Sequence, residues 1–137
     1  MAILRLFSFE LKREISIGNL RESFFQTVSN SSWANESHLV AAEISEEEFR
    51  SELSRLSTSF GIGVIRINLD DPHSSEIIFP AKYRETLDWE TINKLTMNPD
   101  FKEFISTVKI DITSKRIHKK EYDQTLDIKS LKTTPIE

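Results

Sequence analysis

The sequence predicts an α/β fold, in which a mixed central sheet is flanked by helices. Residues 38–44 form a nearly continuous apolar run, which is typical of a parallel strand covered on both faces. Strand-like segments alternate with helix-like segments up to Leu69, and the whole chain has the order β-α-β-α-β-β-α-α. A length of 137 residues fits one domain with its own hydrophobic core.

The first strand is predicted over residues 3–14, because apolar and polar side chains alternate there. We expect its apolar side chains to anchor the strand from behind; they are Phe7, Phe9 and Leu11. A helix follows, for which Asn19 is the predicted N-cap and Glu22 its capping-box partner. The buried stripe of this helix repeats every four residues: Leu20, Phe24 and Val28.

The later elements are predicted from caps and breakers. A helix begins after Ser45 and ends at Gly61, and a strand over residues 62–69 follows it. A short strand over residues 76–79 is stopped by Pro80. Two more helices are then predicted, and their starts are marked by Asp88 and by the pair Asn98 and Pro99. Apolar residues thin out after these helices, so we expect a domain over residues 1–117 and a polar, flexible tail over residues 118–137.

Composition excludes several classes of protein and site. No apolar run approaches the roughly 20 residues of a spanning helix, so no membrane partner is expected. The absence of cysteine excludes disulfides and thiolate sites and suits a cytoplasmic protein. The net charge of −4 restricts any nucleic-acid contact to a local patch. Gly61 and Gly63 follow a helix rather than a strand, so no nucleotide cofactor is expected.

Glu10 and Lys12 are the residues best placed for chemistry. Residues i and i+2 of a strand project from the same face, so a carboxylate and an ammonium group would share one site. The carboxylate could bind a divalent cation, and the lysine could orient an attacking water. The same acid-x-Lys spacing recurs at Asp100 and at Asp127, but in a helix and in the tail. An ordinary ion pair at a sheet edge is the alternative for the strand pair.

Six segments spread over about residues 4–120 carry a resemblance to a known family: LFSFELKRE, NLRESFFQTVSNSSWANE, LVAAEI, SFGIGVI, IIFPA and LDWETINKL. With these segments the chain resembles the nuclease-like domain of HrgA-type bacterial proteins. That family is associated with restriction-modification loci and resembles the PD-(D/E)XK restriction endonucleases. The resemblance therefore implies a restriction-endonuclease-like domain that hydrolyses phosphodiester bonds of DNA with Mg²⁺.

The same resemblance implies roles for individual residues. Glu10, as metal ligand, and Lys12 match the (D/E)XK half of the motif, and Gln26 matches a polar position on the next helix that supports the site. The motif also needs an acidic residue on an earlier strand, and residues 1–9 contain neither Asp nor Glu. We therefore expect a fold without its first helix and strand, and an isolated chain that is inactive.

Two further residues and one alternative function complete the expectations. Asn30 and Trp33 share a polar and aromatic side of the first helix, which is a weak indication of contact with nucleic acid. The alternative function is a catalytically inactive module that binds DNA or forms a homodimer. A truncated sheet would expose an unpaired strand edge, which a second copy could cover.

Overall fold

A computed structural model describes residues 4–123 and residue 129 of the chain. The chain divides into two compact units, Leu4–Asp88 and a helical part that starts at Trp89. The first unit contains six regular elements: β1 (Phe7–Ile15), α1 (Leu20–Ser31), β2 (Glu36–Ile44), α2 (Glu46–Phe60), β3 (Gly63–Arg66) and β4 (Glu76–Phe79). A single 3-10 turn, Pro72–Ser74, lies between β3 and β4.

The sheet of the first unit is mixed, which confirms the predicted fold class at this level. Its strand order is β1-β2-β3-β4, with β1, β2 and β3 parallel and β4 antiparallel to β3. The two helices α1 and α2 are the connections that parallel neighbours require. Both helices contribute to one buried cluster with Leu39 and Ala41 of β2, so they cover the same face of the sheet.

The predicted starts of α1 and α2 are confirmed, but the side chains of Asn19 and Ser45, which were predicted to cap them, make no capping hydrogen bond. Gly61 ends α2 in the left-handed conformation, with φ of 69°, as a glycine at this position permits. Asn19 precedes α1 but does not cap it. Its side chain instead accepts a hydrogen bond from the Ser16 N–H at 2.8 Å and donates one to the Glu14 carbonyl at 2.8 Å. These bonds hold the turn between β1 and α1.

The expectation that Phe7, Phe9 and Leu11 anchor β1 from behind is wrong. Phe9 is 55% exposed and Leu11 is 69% exposed, and Phe7 is exposed as well. The opposite side of β1 faces the helices, where Ser8 is buried and its Oγ donates to Ser37 Oγ at 2.6 Å. Strand β1 therefore presents its polar side inward and its apolar side outward.

A buried asparagine fastens the start of β1. Asn35 is 4% exposed, and its Oδ1 accepts a hydrogen bond from the Leu6 N–H at 2.8 Å. Its Nδ2 donates to the Arg84 carbonyl at 2.8 Å. The backbone of Asn35 bonds the same two residues: its N–H donates to the Leu6 carbonyl at 2.7 Å, and its carbonyl accepts from the Arg84 N–H at 2.7 Å. One residue thus connects the first strand to the segment that follows β4.

The helical unit contains α3 (Trp89–Leu95), α4 (Pro99–Ser114) and a 3-10 turn, Lys119–Glu121. Asn98 caps α4 as predicted, because its Oδ1 accepts from the Asp100 N–H at 2.9 Å and the Phe101 N–H at 3.3 Å. Most of the predicted tail, 124–128 and 130–137, lies outside the described residues. Within the described part of the chain, no helix combines the length and the apolar character needed to span a bilayer.

A small polar cluster joins the end of α4 to the residues after it. His118 Nδ1 lies 2.5 Å from one carboxylate oxygen of Asp111, and Tyr122 OH donates to the other at 2.6 Å. The hydrogen bond from Tyr122 lowers the pKa of Asp111 below its ordinary 3.8, and the hydrogen bond from His118 lowers it further. The same bond raises the pKa of Tyr122 to about 12.

We expect this cluster to be visible in an alkaline titration. The raised pKa of Tyr122 favours the folded state below pH 10, and this contribution is lost as the pH rises from 10 to about 12. Because the chain has two tyrosines, Tyr83→Phe leaves the phenolate absorbance to Tyr122 alone. Its midpoint should be about 12 and should move toward 10 when Asp111→Asn is added. An unchanged midpoint would show that Asp111 does not hold the phenol.

Candidate active site

The predicted pair of Glu10 and Lys12 is formed on the inward side of β1. Lys12 Nζ lies 3.3 Å from Glu10 Oε1, and the two side chains are 30% and 23% exposed, respectively. Both groups are therefore held by the fold and remain accessible to solvent. An ion pair this exposed adds little to stability, about 0–1 kcal/mol. Stability alone thus gives little reason for the pair.

Helix α1 supplies a third polar group. Asn30 Nδ2 donates to the second carboxylate oxygen of Glu10, Oε2, at 3.5 Å, which is at the long limit of a hydrogen bond. The carboxylate of Glu10 thus lies between an ammonium group and an amide. A carboxylate held in this way is a ligand for a hard cation, and the neighbouring ammonium group can hold a water or a phosphate oxygen.

The other predicted site residues occupy different positions. Gln26 is exposed one turn before Asn30 on α1 and makes no hydrogen bond to Glu10 or Lys12 within the described part of the chain. Trp33 follows α1 and is half-buried. Asn30, which we predicted as a nucleic-acid contact, is the residue that reaches the carboxylate. The polar stripe on α1 was the sequence signal for it, since Gln26 and Asn30 are four residues apart.

Glu10 is the one carboxylate of this pair that a divalent cation could contact. Residues 4–123 and 129 form no group of three or more histidine, cysteine or acidic side chains that could hold a metal. Mg²⁺ is commonly held through one or two carboxylates, substrate phosphates and water. Glu10 fits the role of a single protein ligand in such a set.

A polar cavity of about 380 Å³ lies at the carboxyl ends of β2 and β3, and sequence reasoning missed it. Arg66 and Glu76 line it and form an ion pair at 3.0 Å. Glu43 and Asp70 add two further carboxylates to the lining. Clefts at the carboxyl ends of parallel strands are common ligand sites. Sequence spacing did not indicate this one, because its residues come together only when the loop between β3 and β4 folds back toward β2.

Gly63 and His38 are adjacent on β3 and β2. A Cβ on Gly63 would collide with the His38 ring and would lie 2.9 Å from the Ala81 backbone nitrogen, so the position requires glycine. The His38 ring stacks on Phe9 with centroids 5.4 Å apart, and its Nδ1 is buried without a hydrogen-bond partner in the described structure. Burial lowers the pKa of His38, although the Glu36 carboxylate acts in the opposite direction.

Known proteins supply no independent assignment of this site. Comparison of the chain with protein-family models, curated proteins and solved structures finds no match. The functional assignment therefore depends on the geometry of the Glu10 site and on the motif within the sequence.

Proposed function

We propose that this chain is a restriction-endonuclease-like domain of a cytoplasmic bacterial restriction or defence protein. In its complete form, the domain hydrolyses phosphodiester bonds of DNA with Mg²⁺. The observation that carries the proposal is the contact of Lys12 Nζ with Glu10 Oε1 at 3.3 Å on an accessible strand, with Asn30 of the next helix on the second oxygen. The resemblance to HrgA-type proteins supports the choice of DNA as substrate.

Each of the three residues has a distinct role in this proposal. Glu10 is a protein ligand of Mg²⁺, and the bound metal would polarise the scissile phosphate. Lys12 holds the attacking water by its ammonium hydrogens and balances the charge of the phosphate. Asn30 is a positioning residue, because its contact with Glu10 Oε2 orients the carboxylate. A second carboxylate, which the resemblance implies on an earlier strand, would complete the metal site.

The proposal is tested by cleavage of plasmid DNA in Mg²⁺ or Mn²⁺ by the longest natural form of the protein. We expect Glu10→Gln and Lys12→Met each to lower the cleavage rate by at least about 100-fold, the usual effect of losing a catalytic group. Glu14→Gln is the matched control, since Glu14 lies exposed on the same strand. Cleavage by both site variants at the parental rate would contradict the assignment.

The alternative function is a catalytically inactive module that binds DNA or a second copy. The single carboxylate at the site and the net charge of −4 favour it. Calorimetric titration of the chain with Mn²⁺ separates the two functions. Binding that is lost in Glu10→Gln supports the metal site, whereas the absence of binding in the longest natural form supports the inactive module.

A further inference from the structure

Strand β1 is an edge strand with an unusual outer border. Among residues 4–123, β1 pairs with β2 alone, so its other edge carries backbone groups that no described strand bonds. The apolar residues Phe9 and Leu11 are 55% and 69% exposed on one face of this edge. The charged residues Glu10 and Lys12 lie on the other face. An edge of this kind is a template for a further strand.

The backbone of β1 restricts how another strand can pair with it. The Leu6 carbonyl accepts hydrogen bonds from Asn35 at 2.7 Å and Glu36 at 3.4 Å, so from Leu6 to Lys12 the even-numbered residues direct their backbone groups toward β2. The alternation breaks after Lys12, where the Ile15 carbonyl accepts a hydrogen bond from the Ser45 N–H at 3.2 Å. Backbone groups alternate in direction along a strand, so Phe9 and Leu11 direct theirs to the outer edge. If a second β1 pairs antiparallel at this edge, odd-numbered residues must therefore lie opposite odd-numbered residues.

Charge distinguishes the registers that remain. A register centred on residue 10 places Glu10 opposite the partner's Glu10. A register centred on residue 12 places Lys12 opposite the partner's Lys12 and Glu10 opposite the partner's Glu14. Like charges directly opposite each other destabilise a strand pair. Both of these registers are therefore unfavourable. A register centred on Phe9 places Glu10 opposite the partner's Ser8, so it has no like-charge pair but forms no ion pair either.

A register centred on Leu11 is complementary at each of its central positions. Glu10 lies opposite the partner's Lys12, and the two-fold symmetry repeats this pair. Leu11 lies opposite the partner's Leu11, so an apolar pair lies between the two ion pairs. The charged pairs occupy non-hydrogen-bonded positions, which bring opposite side chains closest, with Cα atoms about 4.5 Å apart.

We propose that two copies of this chain dimerise by antiparallel pairing of their β1 strands about a two-fold axis at Leu11. The occupant of the edge is a second copy because the segment from Glu10 to Lys12 complements itself when reversed. The pairing joins two four-stranded sheets into one continuous sheet. It deepens the alternative function, the module that binds a second copy, by naming the surface that this copy covers. Its test measures oligomeric state without DNA or metal.

Sedimentation velocity of charge-reversed variants tests the pairing. Glu10→Lys places lysine opposite lysine, and Lys12→Glu places glutamate opposite glutamate, so each should weaken dimerisation at least about tenfold. The double variant restores opposite charges and should dimerise again. An equimolar mixture of the two single variants should form a heterodimer. A monomeric parent chain, or dimers of the single variants as stable as the parent dimer, would overturn the proposal.

Glu14→Lys is the matched control for the charge reversals. In the Leu11 register Glu14 lies opposite the partner's Ser8, so this variant should dimerise like the parent chain. In the register centred on residue 12 it would instead strengthen the dimer, because the introduced lysine would face the partner's Glu10. A dimer strengthened in this way would therefore refute the Leu11 register. Circular dichroism of each variant shows whether the fold is retained.

Cysteine cross-linking tests the register directly, because the chain contains no cysteine. Leu11→Cys places two thiols opposite each other with Cα atoms about 5.5 Å apart, within the range of a disulfide. It should form a cross-linked dimer under mild oxidation, whereas Phe7→Cys should not. Cross-linking through Phe9→Cys in preference to Leu11→Cys would show a different register and refute the proposal. Cleavage activity has no part in this measurement, so failure here leaves the nuclease proposal standing.

Discussion

Replacing Phe24 by alanine is expected to lower the free energy of unfolding by about 3–5 kcal/mol. Phe24 is completely buried and belongs to the cluster formed by α1, α2 and the sheet. Its ring also makes edge contacts with Phe25 and Phe60, with centroid distances of 5.8 and 5.9 Å. Truncation removes this apolar area and leaves a cavity that the surrounding elements cannot fill completely.

The measurement is guanidinium unfolding followed by tryptophan fluorescence. The chain has two tryptophans, so Trp89→Phe leaves Trp33 as the reporter for the Leu4–Asp88 unit. Phe25→Ala is the matched control, because Phe25 is the next residue and is 41% exposed. Phe25→Ala should cost about 1–2 kcal/mol, since folding buries less apolar area of Phe25 than of Phe24. Equal losses in the two variants would contradict the assigned core.

Asn35→Ala is expected to cost about 2–3 kcal/mol. The substitution leaves the Leu6 N–H and the Arg84 carbonyl without the amide that each bonds at 2.8 Å. A buried polar group without a partner costs about 1–3 kcal/mol, and the Leu6 N–H is such a group, whereas water can reach the Arg84 carbonyl. The same unfolding experiment measures the loss.

Asn68→Ala is the control for Asn35→Ala. Asn68 Oδ1 also accepts from two backbone N–H groups, those of Asp70 and Asp71, both at 3.0 Å. These bonds are exposed, so water replaces them, and the expected cost is below about 1 kcal/mol. If Asn35→Ala lowered the free energy of unfolding no more than Asn68→Ala does, burial of the Asn35 amide would not explain its contribution to stability.

The element order of this fold could be predicted because it depends on local patterns. Alternation revealed β1, four-residue spacing revealed α1, and Gly61 marked the end of α2. The orientation of β1 could not be predicted by the same means. Phe9 and Leu11 form the more apolar side of β1, yet that side is exposed, and Ser8 on the other side is buried with its hydroxyl bonded to Ser37, 29 residues away. The sequence pattern does not contain this long-range contact.

The candidate site divides in the same way. Contact between Glu10 and Lys12 follows from their spacing on one strand and was predicted. Contact with Asn30 depends on where α1 packs over β1, and a shift of one helical turn, about 5.4 Å, would place Gln26 there instead. The four-residue spacing on α1 predicted a polar stripe of Gln26 and Asn30, but only the packing of α1 on β1 determines that Asn30 is the one that contacts Glu10.

The close approach of Gly63 to His38 also constrains which natural sequences this fold accepts. The His38 ring and the Ala81 backbone nitrogen both lie where a side chain at position 63 would be, so a smaller residue at position 38 would not by itself make room for one. Position 63 should therefore remain glycine across related proteins, whatever residue stands at position 38. Positions 9 and 38 should vary as a pair, because the rings of Phe9 and His38 stack on each other.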